Sequence, residues 1–510
     1  MFALFLLLCP AAAGQTGPTD WLTFAGDAQR TGWARNEKIL AQGNVATLEL
    51  KWKLQLPNAP REMHSLTAPV VVENLYTDRG SKDYLFVAGS SDNLYAIDLD
   101  TGKLVWQRSF SVDVKPKSPP GWLCPNALNA TPVVDKRART IYLIPTDGKL
   151  RGLNLFNGED RFPPTPFVPP FSKNWSLNLV EGVLYTTISQ GCGGARSGVS
   201  AMDLRDPARP ATHFYTSIGG GAGIWGRAGV AIGSTGLIFA ETGDGAYDPA
   251  ASKFADTVLA LSPKDLKLVD HYTPANRDYI TKKDLDMGNT SPVVFRFKNW
   301  ELVAASGKEG VIYLLDAASL GGADHRTPLF RARYSNDDVD LAGRGVWGGL
   351  STWEDPEGNR WLFAPTWGPP SAQAPKFRHT HGPAPNGSIM AFQLAVENNK
   401  PALVPMWTSR DMNLPEPVIV ANGVVFALSN GENARQIRGD GGLLSSEERI
   451  RTRAGNAVLY ALDAATGREL FNSGPAIDSW THLSGLGLAS GRVYVTTFDS
   501  RIYAFGPRDR

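Results

Sequence analysis

Apolar and polar residues alternate in short runs along most of the chain. The clearest run is written twice, as LYAIDLDTGKLVW at 94–106 and LYALDAATGRELF at 459–471. Each copy predicts a strand, a turn built on Asp and Gly, and a second strand ending in an aromatic residue. Degenerate copies of the first strand begin at 150, 199, 258, 312, 389 and 502, which makes eight with the two clear ones. The intervals of 43 to 77 residues hold about four strands of five or six residues plus loops. The period of two, with Leu459 and Ala461 set against Tyr460 and Leu462, excludes a helical solenoid. Gly102 and Gly467 fall where the turn requires positive φ.

A further strand of small and β-branched residues precedes most copies: TAPVVV at 67, NATPVVD at 129, AGVAIGS at 228, TSPVVF at 290, EPVIVANG at 416 and LSGLGLASG at 483. Such residues suit a crowded innermost strand beside a central axis. The last copy, VYVTTFDSRIYAFG, ends four residues before the C-terminus with no outer strand. The run LELKWKLQL at 48–56 supplies that strand and carries Trp52 where Trp106 stands in the first repeat. The pattern predicts an all-β, eight-bladed β-propeller over 48–510, closed by the N-terminal strand so that no edge is left free. An N-terminal arm over 15–47 comes before it.

Composition adds little to the fold and more to the partners. The 52 Gly, 36 Pro and 14 Trp match a turn-rich ring with aromatic residues wedged between blades. The balance of 51 basic against 50 acidic residues leaves no nucleic-acid footprint and no charged membrane partner. Phe2–Leu8 is an apolar run followed by Ala11-x-Ala13, read as a signal peptide over 1–14. It is too short to span a bilayer, and it predicts a periplasmic or secreted protein without an integral membrane segment. Cys9 belongs to that peptide, so the mature chain keeps Cys124 and Cys192, whose pairing the spacing leaves open.

The repeat YAxDxxTGxxxW, with WLTFAGDAQRTG and NVATLELKW ahead of it, resembles the pyrroloquinoline quinone (PQQ) repeat family over essentially the whole mature chain. The enzymes of that family are eight-bladed propellers that oxidise alcohols or sugars, yet noncatalytic outer-membrane assembly propellers share the repeat, so it specifies fold better than activity. The segment 237–322 resembles the catalytic members. ETGDGAYD at 241, LVDHYTP at 268, DLDMGNTSPVVF at 284 and SGKEGVIYLLD at 306 follow the order of the family's TGN, WxYxxTP, Asp-rich and KNGxxYxLD blocks. By this similarity Lys308 contacts the quinone, Asp286 or Asp284 is the base, and Asp244 is a calcium ligand in place of Asn. ARSGVSAMD likewise puts Arg196 on an arginine that contacts the cofactor. Trp225 in GIWGRAG and Trp347 in GVWGGL offer indoles to stack on a flat tricyclic ring.

The resemblance implies a PQQ- and calcium-dependent oxidation of small or polymeric alcohols. A carboxylate takes the hydroxyl proton, a cation polarises the quinone carbonyl, and Lys308 and Arg196 answer the charge that develops. There are departures. Cys192, a soft ligand unsuited to calcium, replaces a metal-ligating Glu. The family's vicinal cysteine pair is absent, but Cys124 lies near that position, which implies a Cys124–Cys192 bridge covering the quinone. No CxxCH motif occurs, so electrons leave to a separate acceptor such as a cytochrome c. Loss of the Glu ligand and of the vicinal cysteines favours the other functional class, a cofactor-free propeller that binds protein or glycan, while retention of the 284–308 blocks favours the enzyme.

Commoner roles compete at each position. Asp284 and Asp286 fit turn caps, and Lys308 fits an exposed hairpin lysine. His379 and His381, two apart, are a chelating pair only if a third ligand approaches. His64 and His482 precede inner strands and line the funnel or serve the core. The insertion 431–456 reads as a polar mobile loop above one blade, of the kind that shapes access to a propeller funnel.

Overall fold

Each copy of the repeated strand becomes the third strand of an antiparallel sheet. The eight are Asn93–Asp98, Lys149–Asn154, Gly198–Asp203, Val258–Leu261, Val311–Asp316, Gly387–Glu397, Val458–Asp463 and Arg501–Pro507. The computed structural model describes residues 19–77, 80–206, 211–337, 343–482 and 484–508, and the segment 1–14 expected to be a signal peptide lies outside them. The sheets are the blades of one ring, numbered 1 to 8 in chain order of their inner strands; blades 3 and 6 carry extra short strands. Leu48–Gln55 pairs antiparallel with Arg501–Pro507, placing Leu48 opposite Pro507 and Gln55 opposite Arg501, and so completes blade 8.

Tryptophans latch neighbouring blades through the conserved geometry of the Asp-Gly turn. Trp52 of blade 8 donates its indole N–H to the Leu99 carbonyl of blade 1 (3.1 Å), and Trp106 of blade 1 donates to Leu155 of blade 2 (3.0 Å). Trp407 of blade 6 donates to Ala464 of blade 7 (2.9 Å). Gly102 and Gly467 serve two needs at once. Their φ values are +65° and +75°, and a Cβ at either would stand 2.5 Å from the indole lying on it.

The arm has a role that its sequence does not announce. The amides of Val71, Val134, Ile232, Val294, Thr352 and Val420, from blades 1, 2, 4, 5, 6 and 7, donate in that order to the carbonyls of Trp21, Leu22, Ala28, Gln29, Thr31 and Gly32. Thr23 and Arg30 both donate to the Leu177 carbonyl of blade 3, and Gly491 of blade 8 donates to the Glu37 carboxylate. A dozen residues that meet successive inner strands must run around the axis, so the arm ties the ring together from within.

Two short helices, Arg277–Lys282 and Ser446–Arg451, depart from the all-strand expectation. The second lies in the 431–456 insertion and is started by a capping box in which Ser445 and Glu448 bond reciprocally. Among the described residues no helix is long and apolar enough to cross a membrane.

Candidate active site

In an up-and-down blade, the segment entering the inner strand and the turn between the second and third strands lie at the same end. Side chains from these two positions, contributed by blades 2 to 8, surround a cavity of about 250 Å³. Trp225, Asp284, Asp286, Trp347 and His482 come from entering segments, while Gln190, Asp244 and Lys308 come from the turns.

Indoles form much of the wall. Trp347 and Trp367 stack at 4.2 Å and 7° between planes, and Trp225 meets Trp347 edge-on at 5.7 Å. The Trp347 and Trp367 N–H groups donate to the Arg344 and Pro415 carbonyls (2.7 and 3.0 Å), which fixes both rings. The Trp225 N–H donates to Asp286 Oδ2 at 3.1 Å. Gly243 makes that approach possible, since a Cβ there would stand 2.7 Å from the same carboxylate oxygen.

Lys308 Nζ lies 2.6 Å from Asp284 Oδ1 and 2.6 Å from Asp286 Oδ1, with its charge also over the Trp225 ring at 5.1 Å. Lys308 and Asp286 are buried, whereas the Asp284 side chain is 41% exposed. Burial pushes the Asp286 carboxyl up to about 8. Lys308 opposes this, and the nearby acids Asp284, Asp244 and Asp256 reinforce it. Burial alone would lower the Lys308 ammonium, but Asp286 and Asp284 outweigh it and the net direction is upward. Asp256, beside Thr281, is raised by burial to about 7. Asp244 is also raised, by partial burial first and by Asp284 next, although water reaches it at the cavity edge. Four carboxylates on this side thus face two cations, Lys308 and, beside Asp256, Arg277.

The opposite wall was not foreseen. Lys173, at the start of Lys173–Asn174 in blade 3, lies with its ammonium 5.4 Å over Trp175. Arg449, from the helix in the insertion, covers the Trp122 ring at 4.8 Å and is paired with Glu432, which also contacts His482 at 2.6 Å. Burial works against the Glu432 charge, but His482 and Arg449 outweigh it and hold the carboxyl at about 2. Trp175 carried a readable signal, because it enters an inner strand as Trp225 and Trp347 do. Arg449 carried none.

Other sequence-based assignments fare unevenly. The Cys124–Cys192 disulfide is formed, beside Trp122 and Leu123 of the cavity wall. Cys192 is therefore locked away from any metal. Arg196 requires a correction: it is exposed, its guanidinium lies 4.0 Å over the Tyr215 ring and donates to the Ser217 carbonyl, and it does not line the cavity. Tyr215 sits opposite Gly198 on the adjacent outer strand, so the turn before Gly198 directs the side chain outward. His379 and His381 are exposed, and His381 is spent on the Thr466 carbonyl at 2.7 Å. The 431–456 insertion, expected above one blade where such loops shape access to the funnel, reaches the cavity through Gln436, Leu443 and Arg449.

A PQQ-repeat sequence profile described as outer membrane protein assembly factor BamB matches residues 28–162. A search of curated protein sequences returns no match. Among solved structures, a europium-containing methanol dehydrogenase superposes with a TM-score of 0.65 at 13% identity, covering 96% of this chain and 98% of the other. The quinohemoprotein alcohol dehydrogenase of Comamonas testosteroni gives 0.56 at 16%, covering 96% and 81%. Quinohemoprotein alcohol dehydrogenase ADHIIG of Pseudomonas putida HK5 gives 0.57 at 14%, covering 97% and 82%. At such identities these likenesses speak for the fold. The eight repeats and the ring closed by Leu48–Gln55 make the chain an eight-bladed β-propeller, and over 28–162 its repeats are similar to the PQQ-repeat profile.

Proposed function

We propose that the protein is a PQQ-dependent oxidoreductase that oxidises an alcohol and passes the electrons to a separate acceptor. The observation that carries this reading is the contact of Asp286 with both Lys308 and Trp225 inside an indole-walled cavity. The cavity suits a small flat molecule, since its volume lies just under the about 300 Å³ at which clefts for drug-sized ligands begin. Indole faces fit the rings of the quinone, and ammonium groups fit its carboxylates. Among the described residues Asp270, His271 and His325 are the one trio whose ligand atoms lie within 4.8 Å of one another; Asp244, Asp284 and Asp286 do not converge in that way, yet they are the oxygen donors that a hard cation prefers. Calcium meets that description, as does the lanthanide class to which the europium of the structural neighbour belongs.

Bound there, the quinone would accept two electrons and the metal would polarise a carbonyl. Asp286 supplies the base. Burial raises its carboxyl to about 8, close enough to neutral pH to suit proton transfer, and the Trp225 N–H together with the ion pair to Lys308 holds it in place. Lys308, clamped by two carboxylates, presents a fixed positive charge to an oxygen that gains negative charge. The disulfide supports the periplasmic or secreted location that forms part of this proposal.

The test is titration of the mature protein with PQQ, with and without calcium, followed by a dye-linked alcohol screen. Asp286→Asn is expected to keep PQQ binding within a few-fold while turnover falls by about a hundredfold or more. A second reading, a cofactor-free scaffold for a protein or glycan, is favoured by the description of the matched profile. Absence of PQQ binding at high micromolar concentration under any metal condition selects it.

A further inference from the structure

Lys173 stands apart from the groups that the proposed reaction uses. It is 6% exposed and lines the cavity from blade 3, two blades away from Lys308. The other buried cations at or near the cavity are paired: Lys308 with Asp284 and Asp286, Arg449 with Glu432, Arg227 with Glu416. Lys173 has no carboxylate and no hydrogen-bond acceptor for its ammonium among the described residues; its one ring contact is with Trp175. Its titratable neighbours offer no anion. Arg449 is a second cation, His64 and His482 are buried imidazoles set edge-on at 5.8 Å, and Glu432 is already shared between Arg449 and His482. Burial first, and Arg449 second, pull the Lys173 ammonium down to about 7.

A buried unpaired amine destabilises the empty protein, and in a cavity the remedy is an anionic occupant. The neighbouring indoles, Trp122 and Trp175, suit the flat body of such a ligand, and the ammonium suits a carboxylate at its end. We propose that Lys173 is the receptor for a carboxylate on the occupant of this cavity, holding the acid end of the ligand on the wall opposite Asp286 and Lys308. The inference rests on the cavity being the ligand site of the proposed function, and it narrows the chemistry of what enters. The carboxylate belongs either to the quinone or to a hydroxy-acid substrate.

The test compares the mature protein with Lys173→Met and Lys173→Arg. Lys173→Met removes an unpaired buried charge, so it should raise the melting temperature of the ligand-free protein while weakening an anionic ligand by about tenfold or more. Lys173→Arg should keep affinity within about threefold. If Lys173→Met weakens PQQ but not its trimethyl ester, the carboxylate is the quinone's. If PQQ affinity holds while KM rises for glycolate and not for ethanol, it is the substrate's. Calorimetry in buffers of different ionisation enthalpy provides a reading that a merely structural lysine would not move. At about pH 8 the wild type should take up a proton on binding the carboxylate, and Lys173→Met should not.

Should the wild type bind no PQQ, the quinone reading ends, and naphthalene dicarboxylate becomes the probe in the same calorimetry. Binding that is lost in Lys173→Met sustains the role of Lys173, and no binding overturns it. Equal PQQ affinity together with an equal glycolate KM in wild type and Lys173→Met overturns it too.

Discussion

The seam between blades 6 and 7 can be tested as a steric fit. Trp407 is fully buried, its N–H bonded to the Ala464 carbonyl, and its ring lies where a Gly467 side chain would be. Trp407→Ala should cost about 4 kcal/mol, the middle of the range for a buried aromatic residue cut to Ala. Gly467→Ala forces a side chain at φ +75°, worth about 1–2 kcal/mol. It also sets a methyl 2.5 Å from the indole, and that overpacking adds about 1–3 kcal/mol. In a Trp407→Ala background the methyl has room and only the backbone strain remains. The double variant should therefore be more stable than the sum of the single changes by about 1–3 kcal/mol. Guanidinium unfolding of the four proteins, followed by far-UV circular dichroism, measures the coupling. If Gly467→Ala costs the same in both backgrounds, the contact between glycine and indole does not hold the seam. At the seam of blades 8 and 1, Gly102→Ala should cost less, because Trp52 is only half-buried and free to give way.

Other expectations concern charge and the disulfide. Glu241 is buried, bonded to Thr290, and pushed by burial from 4.5 up to about 8. It is neutral in the folded protein below that pH but ionises from about 4.5 when unfolded. Stability should therefore fall as pH rises from about 4.5 to about 8, by an amount on the order of 4 kcal/mol, and Glu241→Gln should flatten the profile of denaturation midpoints over that window. The Cys124–Cys192 bridge closes a loop with a sequence separation of 68, so reduction should lower stability by about 4 kcal/mol. Reduction should also weaken PQQ binding, since Trp122 and Leu123 are held by it; unchanged calorimetry after reduction would remove the bridge from the site. Lys308→Met takes away the charge that opposes burial at Asp286, and should move the rising limb of the pH–rate profile to higher pH.

Much of the fold was legible because its signals are local and periodic. Alternation located the strands, the copies at 94 and 459 set the repeat, and the lone outer strand at 48–56 announced its partner at the other end of the chain. The helices at 277–282 and 446–451 were not legible, being one or two turns long within polar connections. The course of the arm around the axis was not legible either, since most of its bonds to the blades run through backbone carbonyls, which no side-chain pattern records. Within the site, Asp284, Asp286 and Lys308 were found because they sit in ordered blocks of one segment. Arg196 matched its block equally well but points outward, because spacing along a strand does not set the direction of a side chain in the turn before it.

The amino-acid sequence by itself determined the eight strand repeats, the glycine turns, the closing of the ring and the blades that carry the carboxylates. Each of these depends on neighbours within about ten residues or on a pattern that recurs. The tertiary structure alone decided which charges meet and which stay unpaired. Lys173 in blade 3, Lys308 in blade 5 and Arg449 in blade 7 come from distant parts of the chain to one cavity. Their charge states follow from burial and from the neighbours that the closed ring places around them, and no stretch of the chain holds those quantities before the ring is closed.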